Sequence, residues 1–257
     1  MLSQKQKYQY FAIIILTLSL WNQSSYAENK KLPSLNPKSC NFFPTSTVEK
    51  ADKMEKLYKT NQAEFHKFLI QTVQDNNNIG SEYFNFSDGK KVVYRSAILN
   101  KSPLCLTDLV KYKNVKTIIN LYDGPFLDEE TYPYEESQIF KKAGGEVYSQ
   151  MMDFTDHYKN EIDEKQVDTN ITNIVKLINS SPGNVLIHCV GGWHRTGVVF
   201  GVLQKCINKQ PISEVIDTYK KHTQWESKSK EGVYVHADVQ LISNFNCNNL
   251  KNLSNGN

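Results

Sequence analysis

His188-Cys-Val-Gly-Gly-Trp-His-Arg-Thr-Gly197 is preceded by Ser-Pro-Gly and the short apolar stretch Asn-Val-Leu-Ile at 184–187, and followed by Val-Val-Phe-Gly-Val-Leu-Gln-Lys-Cys at 198–206. The first flank reads as a buried strand and the second as a buried helix. A tight turn between a strand end and a helix N-terminus directs successive backbone N–H groups at one point, where the helix dipole also favours an anion. That field suits a phosphate dianion. It also suits a thiolate, since a helix N-terminus lowers a cysteine pKa by whole units.

Each residue of the turn has a chemical role in such a site. Cys189 is the nucleophile, held as thiolate. Gly191 and Gly192 are expected to carry the backbone through positive φ so that the amides converge. Arg195 offers a planar, permanently charged fork for two phosphate oxygens. The Thr196 hydroxyl donates to the sulfur, and His188 holds Cys189 in place by bonding to the loop backbone. Val190, Gly191, Gly192, Trp193 and His194 complete the substrate-binding turn with Arg195.

The pattern of His-Cys, five residues, Arg and Thr resembles the cysteine-dependent protein tyrosine phosphatase superfamily, in particular its compact dual-specificity and atypical bacterial branches. Further matching stretches are Tyr94-Arg-Ser-Ala with Leu99 and Ser102, and Val115-Lys-Thr-Ile-Ile-Asn-Leu. The resemblance spans roughly 82–247. It implies a phosphocysteine on Cys189, phosphate binding by Arg195, an upstream aspartate as general acid, and no cofactor. Tyr122 stands where those relatives usually place an arginine. Arg95 is expected to be a structural ion-pair partner and Asn120 a strand-end residue.

The acid is sought in Ser-Gln-Met-Met-Asp-Phe-Thr-Asp-His-Tyr at 149–158. Asp156 is favoured by its place after Phe154 beyond an apolar strand-like piece. Asp153 is the alternative, or a residue that orients the loop; Asp163 ranks third, as the lead-in to a helix. The histidines lack ligand spacing, so no metal site is implied.

Residues 1–27 read as a secretory signal peptide, with Lys5 and Lys7 before an apolar core from Phe11 to Trp21 and Ser25-Tyr-Ala27 as the cleavage site. The core is shorter than the ~20 residues of a spanning helix, so no stable membrane anchor is expected after cleavage. The full chain has 30 basic and 27 acidic residues; without Lys5 and Lys7 the balance is 28 to 27. Such near-neutrality makes no case for a nucleic-acid partner. The expected location is periplasmic or secreted. All five cysteines follow the leader. In an oxidising compartment Cys189 must stay free, leaving Cys40, Cys105, Cys206 and Cys247 with three possible pairings. Cys206 is expected as a buried core thiol, with Cys40 and Cys247 joining the N-terminal region to the C-terminal helix.

The remaining pattern predicts one broken helix or two over 48–73, a loop at 75–80, and strands at 91–96, 116–121, 146–151 and 184–188. Helices are predicted at 106–112, 135–142 and 167–178, with a turn-rich loop at 122–133. The alternation argues an α/β fold, a mostly parallel central sheet flanked by helices, with an N-terminal helical extension. The domains are then 1–27 signal peptide, 28–81 extension, 82–247 dual-specificity-phosphatase-like catalytic domain and 248–257 flexible tail. In such sheets ligands bind at the carboxyl ends of the strands.

The expected substrate is a phosphorylated protein or small phosphomonoester. Apart from Arg195, only His194 in the turn can become charged, which favours phosphotyrosine over a multiply phosphorylated ring. Trp193 either stacks at the rim or packs beneath the loop. An inositol polyphosphate or phosphoinositide phosphatase, phytase-like, is the alternative. It is supported by His194 directly before the arginine and by basic residues at Lys220, Lys221 and His222 or Lys228 and Lys230. An inactive phosphate-binding pseudophosphatase is the alternative of another class.

Overall fold

Two helices, α1 (Val48–Thr60) and α2 (Gln62–Asp75), open the ordered path. Asn61 separates them, its side chain accepting the Glu64 N–H at 3.2 Å as a helix N-cap does. The 48–73 pattern is therefore two helices. The computed structural model describes residues 39–40, 48–122, 131–150, 164–223 and 233–254. Residues 1–27, Asp153, Asp156, Asp163, Lys228, Lys230 and residues 255–257 lie outside them.

A hairpin follows, β1 (Gly80–Phe86) antiparallel to β2 (Gly89–Ser96). The strand pattern did not anticipate β1. Its signal was present: Phe84 and Phe86 are buried while Asn85 between them is exposed, and Asp88-Gly89 closes the turn. The chain continues through α3 (Pro103–Lys113), β3 (Val115–Asn120), α4 (Thr131–Ala143), β4 (Val147–Gln150), α5 (Glu164–Ser180) and β5 (Asn184–His188). It ends with α6 (His194–Cys206), α7 (Ile212–Thr223), α8 (Val233–Asn244) and a 3-10 turn at Cys247–Leu250.

The sheet order is β1-β2-β5-β3-β4, with β2, β5, β3 and β4 parallel and β1 the antiparallel edge. This is the expected α/β architecture. β5 lies in the middle, and Val185, Leu186 and Ile187 are wholly buried, as a strand covered on both faces requires. Val185 and Ile187, with Val93 of β2 and Ile119 of β3, meet Val167, Ile171, Ile174, Val175 and Ile178 of α5 and the apolar body of α6. The spacing of that α5 stripe is what a helix needs to present one face to a core. Truncating one such isoleucine to alanine costs about 2–5 kcal/mol. Leu186 and Ile118 point to the opposite face by strand alternation and are also fully buried; α3 packs there against α4 and β3.

Ser96 pairs with His188 and His188 with Asn120, so the segments leaving β2, β5 and β3 emerge side by side at one edge. All the described residues belong to one compact unit, 36–257. No described helix is long and apolar enough to cross a membrane.

The disulfides correct the expected pairing. Cys40 is bonded to Cys105 of α3 and Cys206 of α6 to Cys247, with Cα separations of 4.8 and 5.2 Å. Cys206 is thus a half of a disulfide rather than a free core thiol. α8 packs on α6, and the turn after it delivers Cys247 to the end of that helix. Two lysines do the work of helix C-caps: Lys91 Nζ donates to the carbonyls of Ile178, Asn179 and Ser181, and Lys205 Nζ to those of Ile242, Ser243 and Phe245. Each satisfies carbonyls that the helix end leaves without intrahelical partners.

Candidate active site

Between β5 and α6, the carbonyls of residues 189–192 are each held by a donor from outside the turn. His188 Nδ1 lies 3.1 Å from the Cys189 oxygen, and the Ile98 N–H donates to Val190 at 3.0 Å. Asn78 Nδ2 donates to Gly191 at 2.9 Å and to Gly192 at 3.3 Å. The buried Arg95 Nη2 adds a second bond to Gly192. A trans peptide sets its N–H opposite its C=O. With these carbonyls drawn outward, the N–H groups of 190–193 are turned inward, toward Cys189 and the start of α6.

Only one of the two glycines takes positive φ. Gly192 has φ +69°, and a Cβ there would lie 2.4 Å from the Ser96 carbonyl oxygen, so both conformation and space demand glycine. At Gly191 a Cβ would approach the Trp193 indole to 3.0 Å, a tight contact that the ring would have to yield to.

Cys189 is buried and is the one free thiol among the five cysteines. Burial pushes the thiol up. The Arg195 charge, hydrogen bonds from the Thr196 side chain and backbone, and His194 outweigh it, leaving the pKa below its ordinary value. Arg195 has its guanidinium carbon 5.1 Å from the centre of the Tyr122 ring. Tyr122 therefore supplies an aromatic face for the Arg195 guanidinium.

His188 is gripped by Glu136, a residue that sequence reasoning missed. His188 Nε2 lies 2.8 Å from Glu136 Oε2, both side chains fully buried. Glu136 also accepts the Leu99 N–H at 2.8 Å and the Tyr148 hydroxyl at 3.0 Å. Burial pulls His188 down, but Glu136 and the Cys189 carbonyl hold its pKa above the ordinary value. Burial pushes Glu136 up, but His188, Leu99 and Tyr148 hold it below. Glu136 thus favours the charged form of His188, whose Nδ1 meets the Cys189 carbonyl while Nε2 faces the Glu136 carboxylate.

Arg95 departs from its expected role. It has no carboxylate partner among the described residues; its contacts are the Gly192 carbonyl and, at 5.4 Å, the Phe200 ring. Burial lowers its pKa to about 10, against the opposing pull of Cys189 and Tyr219. Asn120 is the strand-end residue expected, its Oδ1 accepting the Tyr122 N–H at 3.0 Å.

His194 is tied at 2.7 Å through Nδ1 to the buried Asp238, which also accepts the Tyr219 hydroxyl. Burial raises the Asp238 pKa well above its ordinary value. Trp193 is 6 % exposed and packs with Met54 and Phe65. Its indole therefore packs against Gly191 of the turn and under α1 and α2, the second of its two expected fates. His222 is no external cation: it is buried, bonded through Nδ1 to Asn78 Oδ1 at 2.8 Å, and burial, Arg95 and Lys221 lower its pKa well below the ordinary value. The structure thus brings His188 through Thr196 together, while Asp156 and Asp153 lie outside the described residues. Among the described residues no group of three or more metal-ligating side chains comes together.

Of the residues missed, Asn78, Glu136 and Asp238 join the site only through the fold.

A buried thiol of lowered pKa in an amide-lined turn, with a guanidinium beside it, defines a thiol-dependent phosphoryl-transfer site. A model of the tyrosine phosphatase family matches residues 82–256, and the chain belongs to that family. The chain is similar to inositol diphosphatase DSP2 of Oryza sativa subsp. japonica, 28% identical over 106 residues, which is 41% of this chain and 50% of that protein. It thus spans half the length of that relative. It is also similar to the core catalytic domain of the PP-IP phosphatase Siw14 from S. cerevisiae, at 20% identity over 60% of this chain and 80% of that one, TM-score 0.44. P. aeruginosa TpbA in complex with pTyr matches at 17% identity over 59% of this chain and 86% of that one, TM-score 0.38.

Proposed function

We propose that this chain is an exported cysteine-dependent phosphatase that hydrolyses phosphomonoesters through a phosphocysteine, with phosphotyrosine its favoured substrate. The observation that carries the reading is Cys189: buried, free while the other four cysteines are bonded, and of lowered pKa inside the inward-facing amides. The Cys189 thiolate attacks phosphorus in line while the bond to the departing oxygen breaks. Arg195 and the amides of the turn neutralise the charge spread over the equatorial oxygens. Asp156, in the role the resemblance assigns, protonates the leaving oxygen and then takes a proton from the water that cleaves the phosphocysteine.

The substrate preference rests on charge. Tyr122 faces Arg195, and His222 is neutral and enclosed, so the turn offers cationic help for one phosphate rather than for a ring of them. An inositol phosphate or diphosphate remains the second reading, favoured by the similarity to the rice inositol diphosphatase and by His194 beside Cys189. Export is supported by the leader and by two disulfides, which persist in oxidising compartments.

The test compares a phosphotyrosine peptide with inositol hexakisphosphate and an inositol diphosphate, each without added metal and against Cys189→Ser. Cys189-dependent release from the peptide supports the favoured substrate, and preference for the inositol compounds replaces it with the second reading. Phosphate binding with no release from any substrate makes the chain a phosphate-binding pseudophosphatase.

A further inference from the structure

The family match begins at residue 82, yet half of the catalytic turn is supported by residues before it. We propose that residues 48–78 are a positioning element of the phosphatase site, holding the 191–193 half of the turn through Asn78 on its backbone and Met54 and Phe65 on Trp193. The inference rests on the Cys189 turn being the phosphatase site.

Three consecutive asparagines connect α2 to β1, and all three are buried. A run of this kind ordinarily marks an exposed loop, because each side chain brings a polar amide that must be satisfied. Here each amide has a separate task. Asn76 Nδ2 donates to the Thr72 carbonyl at 2.9 Å and closes the end of α2. Asn77 bonds the segment leaving β2 twice: its carbonyl accepts the Ala97 N–H at 2.8 Å, and its Nδ2 donates to Ser102 Oγ at 2.7 Å. Asn78 sits at φ 47°, a left-handed conformation that asparagine tolerates better than most residues. That conformation delivers its amide to the carbonyls of Gly191, Gly192 and His222, while its Oδ1 meets His222 Nδ1.

The second anchor is apolar and independent of the first. Trp193 immediately precedes α6 and shares a buried cluster with Met54 of α1 and Phe65 of α2, with Leu57 and Phe68 against it. An indole held there fixes the backbone N–H of residue 193 and the direction in which α6 begins. The disulfide from Cys40 to Cys105 of α3 ties the same N-terminal region to the catalytic domain. Without these supports the Gly191 carbonyl loses its Asn78 donor, Gly192 retains Arg95, and the amides lose their common aim. Misplacement of catalytic groups by about 1 Å costs on the order of a hundredfold in rate.

The experiment uses the full chain carrying Asn78→Gly, which keeps the backbone conformation and deletes the amide, and separately Phe65→Leu, which loosens the indole mildly. Two readouts are taken: kcat and KM for the substrate turned over fastest, and the pH profile of Cys189 alkylation by iodoacetamide, which needs no turnover. The groups facing the sulfur are Arg195, His194, Arg95 and His188. The double variant Cys206→Ser/Cys247→Ser serves as a destabilised control remote from the turn. The expected result is a kcat loss of about tenfold to a hundredfold for Asn78→Gly, a smaller loss for Phe65→Leu, and an alkylation profile moved to higher pH in both. The control loses thermal stability and keeps its profile. Wild-type kcat and an unmoved profile in both variants would overturn the proposal. So would equal changes in the control. If the wild type shows no Cys189-dependent turnover, the functional reading fails while the alkylation profiles still decide whether the extension positions the turn.

Discussion

The two halves of the catalytic turn are held by different parts of the chain. Cys189 and Val190 are fixed from within the family domain, by the Glu136–His188 pair and by the Ile98 N–H. Residues 191–193 rest on Asn78, Met54 and Phe65, which precede that domain, and Arg95 of the domain joins them at Gly192. The first half carries the nucleophile and a buried charge pair, so its integrity should depend on pH. The second half carries amides and an indole, held by the neutral Asn78 amide, the Arg95 guanidinium and packing, so its integrity should depend mainly on contact. One stretch of sequence thus sits under two physically distinct kinds of control.

Removing the chemistry without either support gives the largest expected effect. Cys189→Ser should reduce turnover to background while phosphate binding persists, measured by steady-state assay and calorimetric titration with orthophosphate. Loss of binding as well would mean that the sulfur itself organises both halves. Asp156→Ala should slow turnover by about 10²–10⁴-fold and Asp153→Ala by less; the reverse order in kcat assigns the acid to Asp153.

Glu136→Gln attacks the first half alone. Breaking a buried charge pair costs about 3–5 kcal/mol, read by denaturant unfolding. The pH dependence follows from the directions of the two shifts. His188 is raised, so its contribution is complete below the ordinary 6.5 and fades as pH climbs through the folded value. Glu136 is lowered, so its contribution is complete above the ordinary 4.5 and fades as pH falls through the folded value. The stability gap between wild type and Glu136→Gln should therefore be widest between pH 4.5 and 6.5 and narrow on either side. A gap constant across pH would show the pair to be uncharged.

The smallest effect on the turn should come from Cys206→Ser/Cys247→Ser. Opening a bond that spans 41 residues should cost about 2–4 kcal/mol with kcat unchanged. A fall in kcat would show that the far end of α6 also governs the turn.

What the sequence revealed follows the same division. Residues 188–197 were legible because nucleophile, guanidinium, hydroxyl and glycines lie within ten positions of each other, and their flanks announce strand and helix. The sheet was legible from the apolar runs of β2, β3 and β5. β1 was passed over despite Phe84, Phe86 and the Asp88-Gly89 turn, because its first half reads as a polar extension of the asparagine loop. Glu136 and Asn78 look like surface residues until folding carries them to the turn; Asn78 and Gly191 are 113 positions apart. Arg95 was expected to find a carboxylate, the commonest fate of a buried arginine, and instead holds a backbone carbonyl behind a thiolate. The disulfide partners were equally hidden, since only the packing of α8 on α6 brings Cys247 to Cys206.

The most direct measurement is rapid acid quench of the protein during turnover of its best substrate, followed by peptide mass mapping. The predicted result is a phosphoryl group on the peptide containing Cys189, absent from Cys189→Ser. A phosphoryl group on another side chain, or wild-type turnover by Cys189→Ser, would contradict a phosphocysteine held in this turn.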